Sequence, residues 1–188
     1  MLSDLATRAK AGDRAAFAEL AEAVAGRLTA TARLILRDET ATQDAVQEAL
    51  VDAWRDIRGL RDPDRTEAWI YRILVNACRE RARRDRRRAL MEVPAYVGMV
   101  PERSSSTVRA PDLETRDQVE RALARLPTDL RAVLVLTYYV DLPMAEAATA
   151  LSIPLGTMKS RLNRARSALR AAIEAEERPT ALVAGSPS

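Results

Sequence analysis

The sequence predicts an all-α protein of two small helical domains, a three-helix bundle and a four-helix unit, joined by a flexible linker. Three observations carry this. Ala, Arg, Leu and Glu dominate the 188 residues, with 6 Gly and 4% aromatics, and straight-chain residues and Ala lose little entropy in a helix. Runs rich in Val, Ile, Tyr or Thr, which a sheet would need, are scarce. Helical periodicity stops near Met91 and resumes near Leu113, and a chain this length suffices for two modest cores.

Taken in order, Phe17, Leu20, Ala21, Val24, Leu28 and Ile35 recur at helical spacing between Asp13 and Leu36. A second helix is expected from Thr42 to Ile57, with Val46, Leu50, Ala53, Trp54 and Ile57 on its apolar stripe. Gly59 and the Asp62-Pro63-Asp64 turn end it. A third begins near Arg65 and runs past Ala82, its core face formed by Trp69, Ile70, Ile73, Leu74 and Ala77. Residues 10–90 therefore make one bundle. Residues 91–113 hold Pro94, Pro101, Pro111 and Ser104-Ser105-Ser106 without periodicity, the composition of a linker. Residues 114–175 carry four shorter helices: one ending near Arg125, one opening at Pro127, one at Pro143 and a last from Gly156 to Glu174. The tail, residues 176–188, is expected to be disordered.

Composition removes whole classes of function. With no His and a single Cys, a disulfide framework, a site built from several Cys or His ligands, and His-dependent acid–base catalysis are excluded. Phosphate-binding glycine loops and nucleophile elbows are missing as well, so neither an enzyme nor a resident metal or cofactor is expected. No apolar run approaches the ~18 residues that span a bilayer, and the N-terminus carries no signal-peptide pattern. A cytoplasmic protein without membrane insertion is expected.

Net charge is only +3 from 30 basic and 27 acidic residues, so their distribution matters more than their sum. Residues 142–166 (LPMAEAATALSIPLGTMKSRLNRAR) give a short helix, a tight turn and a longer helix, the helix-turn-helix arrangement. Met158, Leu162, Ala165 and Leu169 share the docking face of the second helix, leaving Lys159, Ser160, Asn163 and Arg164 outward, flanked by Arg161 and Arg166. No acidic residue occurs from Ala147 to Ile173, as a surface meeting phosphates requires. Arg and Lys can read guanine edges and Asn adenine. A merely solvated Arg-rich helix is the competing reading.

Two further constellations lie in the first bundle. Arg72, Asn76, Arg79 and Arg83 fall at spacings of four, three and four on one helix face. Seven arginines crowd residues 79–88 against Glu80 and Asp85, which suits a nucleic-acid backbone; a charged helix end serving solubility is the alternative. Asp44, Glu48 and Asp52 stack at i, i+4 on the second helix and repel one another by ~0.2–0.5 kcal/mol per pair. A basic protein partner would offset that, though an ordinary solvated face has the same pattern.

The combined pattern resembles the sigma-70 family, in its extracytoplasmic-function (ECF) subgroup, over about residues 10–173. Asp44 to Trp54 (DAVQEALVDAW) looks like the core-polymerase-binding segment of region 2, and Glu67 to Asn76 (EAWIYRILVN) with the following arginines like its −10 element segment. Leu126 to Leu136 (LPTDLRAVLVL) and Gly156 to Arg166 (GTMKSRLNRAR) look like region 4, which reads the −35 element. The resemblance implies a sigma factor that directs core RNA polymerase, through its β and β′ subunits, to promoter DNA and aids melting. Asp44, Gln47, Glu48 and Asp52 would meet the polymerase clamp. The loop containing Arg61, Asp62 and Arg65, together with Asn76, would take a flipped −10 base, a step that costs a few kcal/mol. Arg72, Arg79 and Arg83 would hold phosphates. Lys159, Ser160, Asn163 and Arg164 would enter the −35 major groove, flanked by Arg161, with Thr157 and Arg166 on the backbone. The resemblance also implies an anti-sigma partner, and a monomer outside such complexes. The 23-residue linker reaches ~75 Å when extended, against ~68 Å between elements ~20 base pairs apart.

Two positions depart from the family pattern: Ser152 stands where such turns usually carry Gly, and Ala147 where a larger aliphatic residue is usual. Two other readings remain. A dimeric helix-turn-helix repressor would need a dimer interface and a palindromic site, and a helical adaptor would not touch DNA at all.

Overall fold

A computed structural model describes residues 1–91 and 111–177, all its regular elements being helical. In chain order these are α1 (Leu2–Lys10), α2 (Arg14–Leu36), α3 (Glu39–Asp56), α4 (Thr66–Met91), α5 (Pro111–Arg125), α6 (Thr128–Leu134), α7 (Met144–Ala150) and α8 (Leu155–Glu177). The expected linker lies almost entirely, and the expected disorder of the tail from Arg178 wholly, outside the described residues.

Short polar residues set the helix starts. Asp13 accepts from the Ala16 amide at 3.0 Å to cap α2, and Asp38 accepts from the Ala41 amide at 2.6 Å to cap α3, each such cap contributing about 1 kcal/mol. Asp62 accepts from the Asp64 amide and starts a 3-10 turn at Pro63 that leads into α4. Between α1 and α2 the chain reverses at Gly12, whose φ of 103° a side chain rarely adopts.

α1 to α4 enclose Leu20, Leu28, Ile35, Leu74, Val75 and Cys78, all fully buried. The buried hydroxyls of Thr31 and Thr42 donate to the carbonyls of Arg27 and Asp38, so neither is an uncompensated polar group. The sequence periodicity suggested three helices here; α1 is a fourth and packs on the same core through Leu5, Ala6 and Ala9. In the second unit Val133, Leu136, Leu151, Met158 and Ala165 form the interior. α6 passes into a π-helical turn over Val135–Tyr139. Ala147 is fully buried, where a longer side chain would have to displace neighbours.

One packing expectation needs correction. Trp54 is 39% exposed, its ring set 4.9 Å from that of Phe17, and so covers the core edge rather than filling it. Tyr138 and Tyr139, at the end of the π-helical turn, are exposed. Cys78 is fully buried.

The two units do not stand apart. α4 packs against α7, and α2 meets α6 and the π-helical turn. Buried residues of both units join one hydrophobic cluster.

Candidate nucleic-acid interface

α8 divides as its sequence pattern requires. Met158, Leu162 and Ala165 are buried against the second unit, while Lys159, Ser160, Asn163, Arg164 and Arg166 are exposed. Thr157 and Arg161 are half-buried at its flanks. Before it the chain turns at Ser152 with φ 54°, the left-handed conformation that glycine adopts freely. The amides of Ser152 and Ile153 donate to the carbonyls of Thr149 and Ala148 and close the turn. Helix, turn and helix thus present four polar side chains on a rigid, acid-free surface, the geometry that enters a major groove.

The first unit gathers its candidates differently. Arg61, Asp62, Arg65 and Arg72 line one cleft of about 640 Å³ together with Trp69. Arg72 and Asn76 line a second of about 510 Å³, which Glu48, Asp52, Asp56 and Glu80 make acidic on one side. Both clefts are completed by the second unit: Glu146 and Thr149 of α7 border the first, and Ser152 the second.

Arg79 does not join them. Its Nε donates to Asp129 Oδ1 at 2.9 Å and an Nη to the Leu151 carbonyl at 3.0 Å, and only 15% of its side chain is exposed. Arg83 is exposed at 68%, with Glu80 4.0 Å away. Nothing in the sequence pattern identifies Asp129 or Leu151 as partners of Arg79, because 50 and 72 residues separate them.

The stacked carboxylates of α3 also differ from the expectation of a free acidic face. Arg81 of α4 pairs with Asp44, and Arg84 reaches Glu48 at 3.3 Å. Asp52 has Arg55 at 3.6 Å, and Gln47 is exposed. The basic groups that offset the like-charge cost are therefore supplied by the chain itself. For the same reason the arginine run of α4 is less available to an outside polyanion than its count suggests. Arg81 is only 20% exposed, while Arg83, Arg86, Arg87 and Arg88 face solvent.

Burial pushes the Cys78 thiol up to about 12, so this side chain is no nucleophile at neutral pH. Among the described residues no helix is long and apolar enough to cross a membrane. A larger groove of about 1170 Å³ lies between the units on the face away from α7, lined by Leu34, Leu123, Val135, Tyr139, Leu169 and Ile173 among others.

Comparison with known proteins gives a concordant picture. The family model for sigma-70 region 2 matches residues 20–88, and that for sigma-70, region 4, matches residues 116–169. The chain is similar to the ECF RNA polymerase sigma factor SigM of Mycobacterium tuberculosis, 34% identical over 159 residues, covering 85% of this chain and 78% of SigM. It is 31% identical over 180 residues to the RNA polymerase sigma factor CnrH of Cupriavidus metallidurans, covering 92% of this chain and 94% of CnrH. Among solved structures, CnrH in complex with the cytosolic domain of CnrY superposes with a TM-score of 0.67 at 29% identity, covering 93% of this chain and 98% of that one. RpoE of Bartonella quintana, in complex with the anti-sigma factor NepR, shares the fold at the same TM-score and 23% identity, covering 84% of this chain and 96% of that one.

Proposed function

The chain belongs to the sigma-70 family, in its ECF subgroup, and from that premise we propose how its residues divide the work of promoter-specific transcription initiation. It is a sigma factor: it binds core RNA polymerase and directs initiation by recognising −35 and −10 elements and aiding melting. The observation that carries the assignment of residues is α8, where Lys159, Ser160, Asn163 and Arg164 stand exposed on a helix whose opposite face is buried. These four read the −35 major groove, with Thr157, Arg161 and Arg166 alongside on bases and phosphates.

Arg61, Asp62, Arg65 and Asn76 receive an unstacked −10 base, and Arg72 and Arg83 hold phosphates, as Arg79 does once it exchanges Asp129 and the Leu151 carbonyl for one. Asp44, Gln47, Glu48 and Asp52 meet the polymerase; Gln47 and Asp52 do so directly, whereas Asp44 and Glu48 must first exchange Arg81 and Arg84 for the polymerase's cations. The family matches over both units support this reading over the dimeric repressor. An anti-sigma protein is the further partner, and the apolar groove between α2, α5 and α8 offers it a seat. The chain works in the cytoplasm, as its partners require.

Gel filtration with core polymerase, followed by promoter footprinting, separates these roles. Asp52→Arg should weaken co-elution with the core enzyme at least about tenfold, the effect of a reversed charge at an interface. Arg164→Glu should leave co-elution intact and abolish protection at the −35 element. Normal footprints from both variants would refute the assignment.

A further inference from the structure

Where α1, the first turn of α2 and the end of α3 meet, a pocket of about 370 Å³ lies outside every surface assigned above. Its apolar lining is Ala9 and Ile57, only 1% and 3% exposed. Trp54 forms a further side: it is 39% exposed, with the Phe17 ring packed against it at 4.9 Å and a tilt of 59°. Arg14, Arg55 and Arg58, all exposed, supply the charge, and among the described residues no Asp or Glu lines the pocket.

The acids that flank these residues in the chain are engaged elsewhere. Asp13, between Gly12 and Arg14, accepts from the Ala16 amide and from Arg8 at 2.8 Å. Asp56, next to Arg55, lines the acidic cleft with Arg72 instead. Asp52 stands 3.6 Å from Arg55, but with 45% and 71% of the two side chains exposed this pair is weak. Arg14 and Arg58 have no carboxylate partner among the described residues. Three guanidiniums around one pocket repel one another, and phosphate oxygens, which each can grip through paired N–H donors, remove that cost. An indole in the same pocket is a surface on which a planar base stacks.

We propose that this pocket binds a free nucleotide: the base lies on the Trp54 indole above Ala9 and Ile57, and the phosphates reach the guanidiniums of Arg14, Arg55 and Arg58. The volume is at the small end of the range for ligand sites, which suits a base with its sugar and leaves the phosphates at the rim among the exposed arginines. Arg and Trp side chains only donate hydrogen bonds, and no side chain that accepts one lines the pocket. The site therefore grades ligands by phosphate number more than by base. A nucleic-acid strand would need further aromatic platforms along a basic track, and Trp54 is the one aromatic in the lining. None of these residues is among those assigned to promoter or polymerase, so the site goes beyond the sigma-factor reading and does not depend on it.

The test is isothermal titration calorimetry of the full chain with adenosine, AMP, ADP and inorganic pyrophosphate, at low salt and without magnesium. One ADP should bind per chain, about tenfold more tightly than adenosine, which lacks the phosphates, and about tenfold more tightly than pyrophosphate, which lacks the base. AMP should fall between adenosine and ADP. Arg14→Gln/Arg58→Gln should weaken ADP about tenfold and leave adenosine unchanged, whereas Trp54→Leu should weaken ADP about as much and leave pyrophosphate unchanged. Arg72→Gln/Arg164→Gln, altered only at the two proposed promoter surfaces, should bind ADP as wild type does. Because Trp54 covers the core edge, Trp54→Leu is scored only if circular dichroism shows wild-type helix content; otherwise the arginine pair, both exposed, decides. The proposal is overturned by pyrophosphate binding as tightly as ADP, by ADP binding that survives Arg14→Gln/Arg58→Gln or is lost in Arg72→Gln/Arg164→Gln, or by no ADP binding up to millimolar concentration. An oligothymidylate that displaces ADP and is itself weakened by Arg14→Gln/Arg58→Gln would make the occupant a strand, and would overturn it too.

Discussion

Ser152 holds φ 54° in the turn between α7 and α8, and the carbonyl just before it accepts from Arg79. A left-handed conformation costs a non-glycine residue roughly 1 kcal/mol or more, and the amide ties of Ser152 and Ile153 to Thr149 and Ala148 keep it in place. Ser152→Gly should therefore raise stability by about 1 kcal/mol, a gain of ~2–4 °C in Tm, visible by thermal denaturation; a loss would mean that the serine is not strained. The position is readable from the sequence because the turn chemistry of a helix-turn-helix asks for Gly. The fate of Arg79 is not, since a stripe at spacings of four, three and four says which side chains share a face but not what covers that face.

At the scale of elements, periodicity located every helix from α2 to α8, because each has a continuous apolar stripe against a core. It missed α1, whose nine residues bury only Leu5, Ala6 and Ala9 and whose apolar signal is correspondingly short. It also placed Trp54 on the interior stripe, because a half-exposed ring and a buried one share the same spacing.

The seam between α3 and α4 belongs here too. Sequence showed an acidic stripe on one helix and a basic run on the other, and only the packing showed that they neutralise each other. Arg81 and Arg84 differ in exposure, at 20% and 47%, so they should differ in worth. Arg81→Ala should cost about 1 kcal/mol in urea denaturation, the upper end for a partly exposed pair, and Arg84→Ala should stay within about 0.5 kcal/mol. Equal costs would show that the seam is held by something other than these pairs.

At the scale of the whole molecule, two surfaces proposed to read DNA and one proposed to meet polymerase lie on a chain whose units are packed together. Charge and periodicity suggested these surfaces one at a time, and the recurrence of four motifs in family order joined them into one function. Their mutual contact depends on side chains far apart in sequence, such as Arg37 with Glu120 and Arg79 with Asp129, and no local pattern encodes such a pairing.

Run-off transcription with purified chain and cognate core polymerase, free of inhibitor, bears on all of this most directly. The account predicts transcripts that depend on the chain and start at discrete sites, each preceded by two conserved elements ~20 base pairs apart, with Arg164→Glu abolishing them. Transcription that starts no more specifically with the chain than without it would contradict the account at its root.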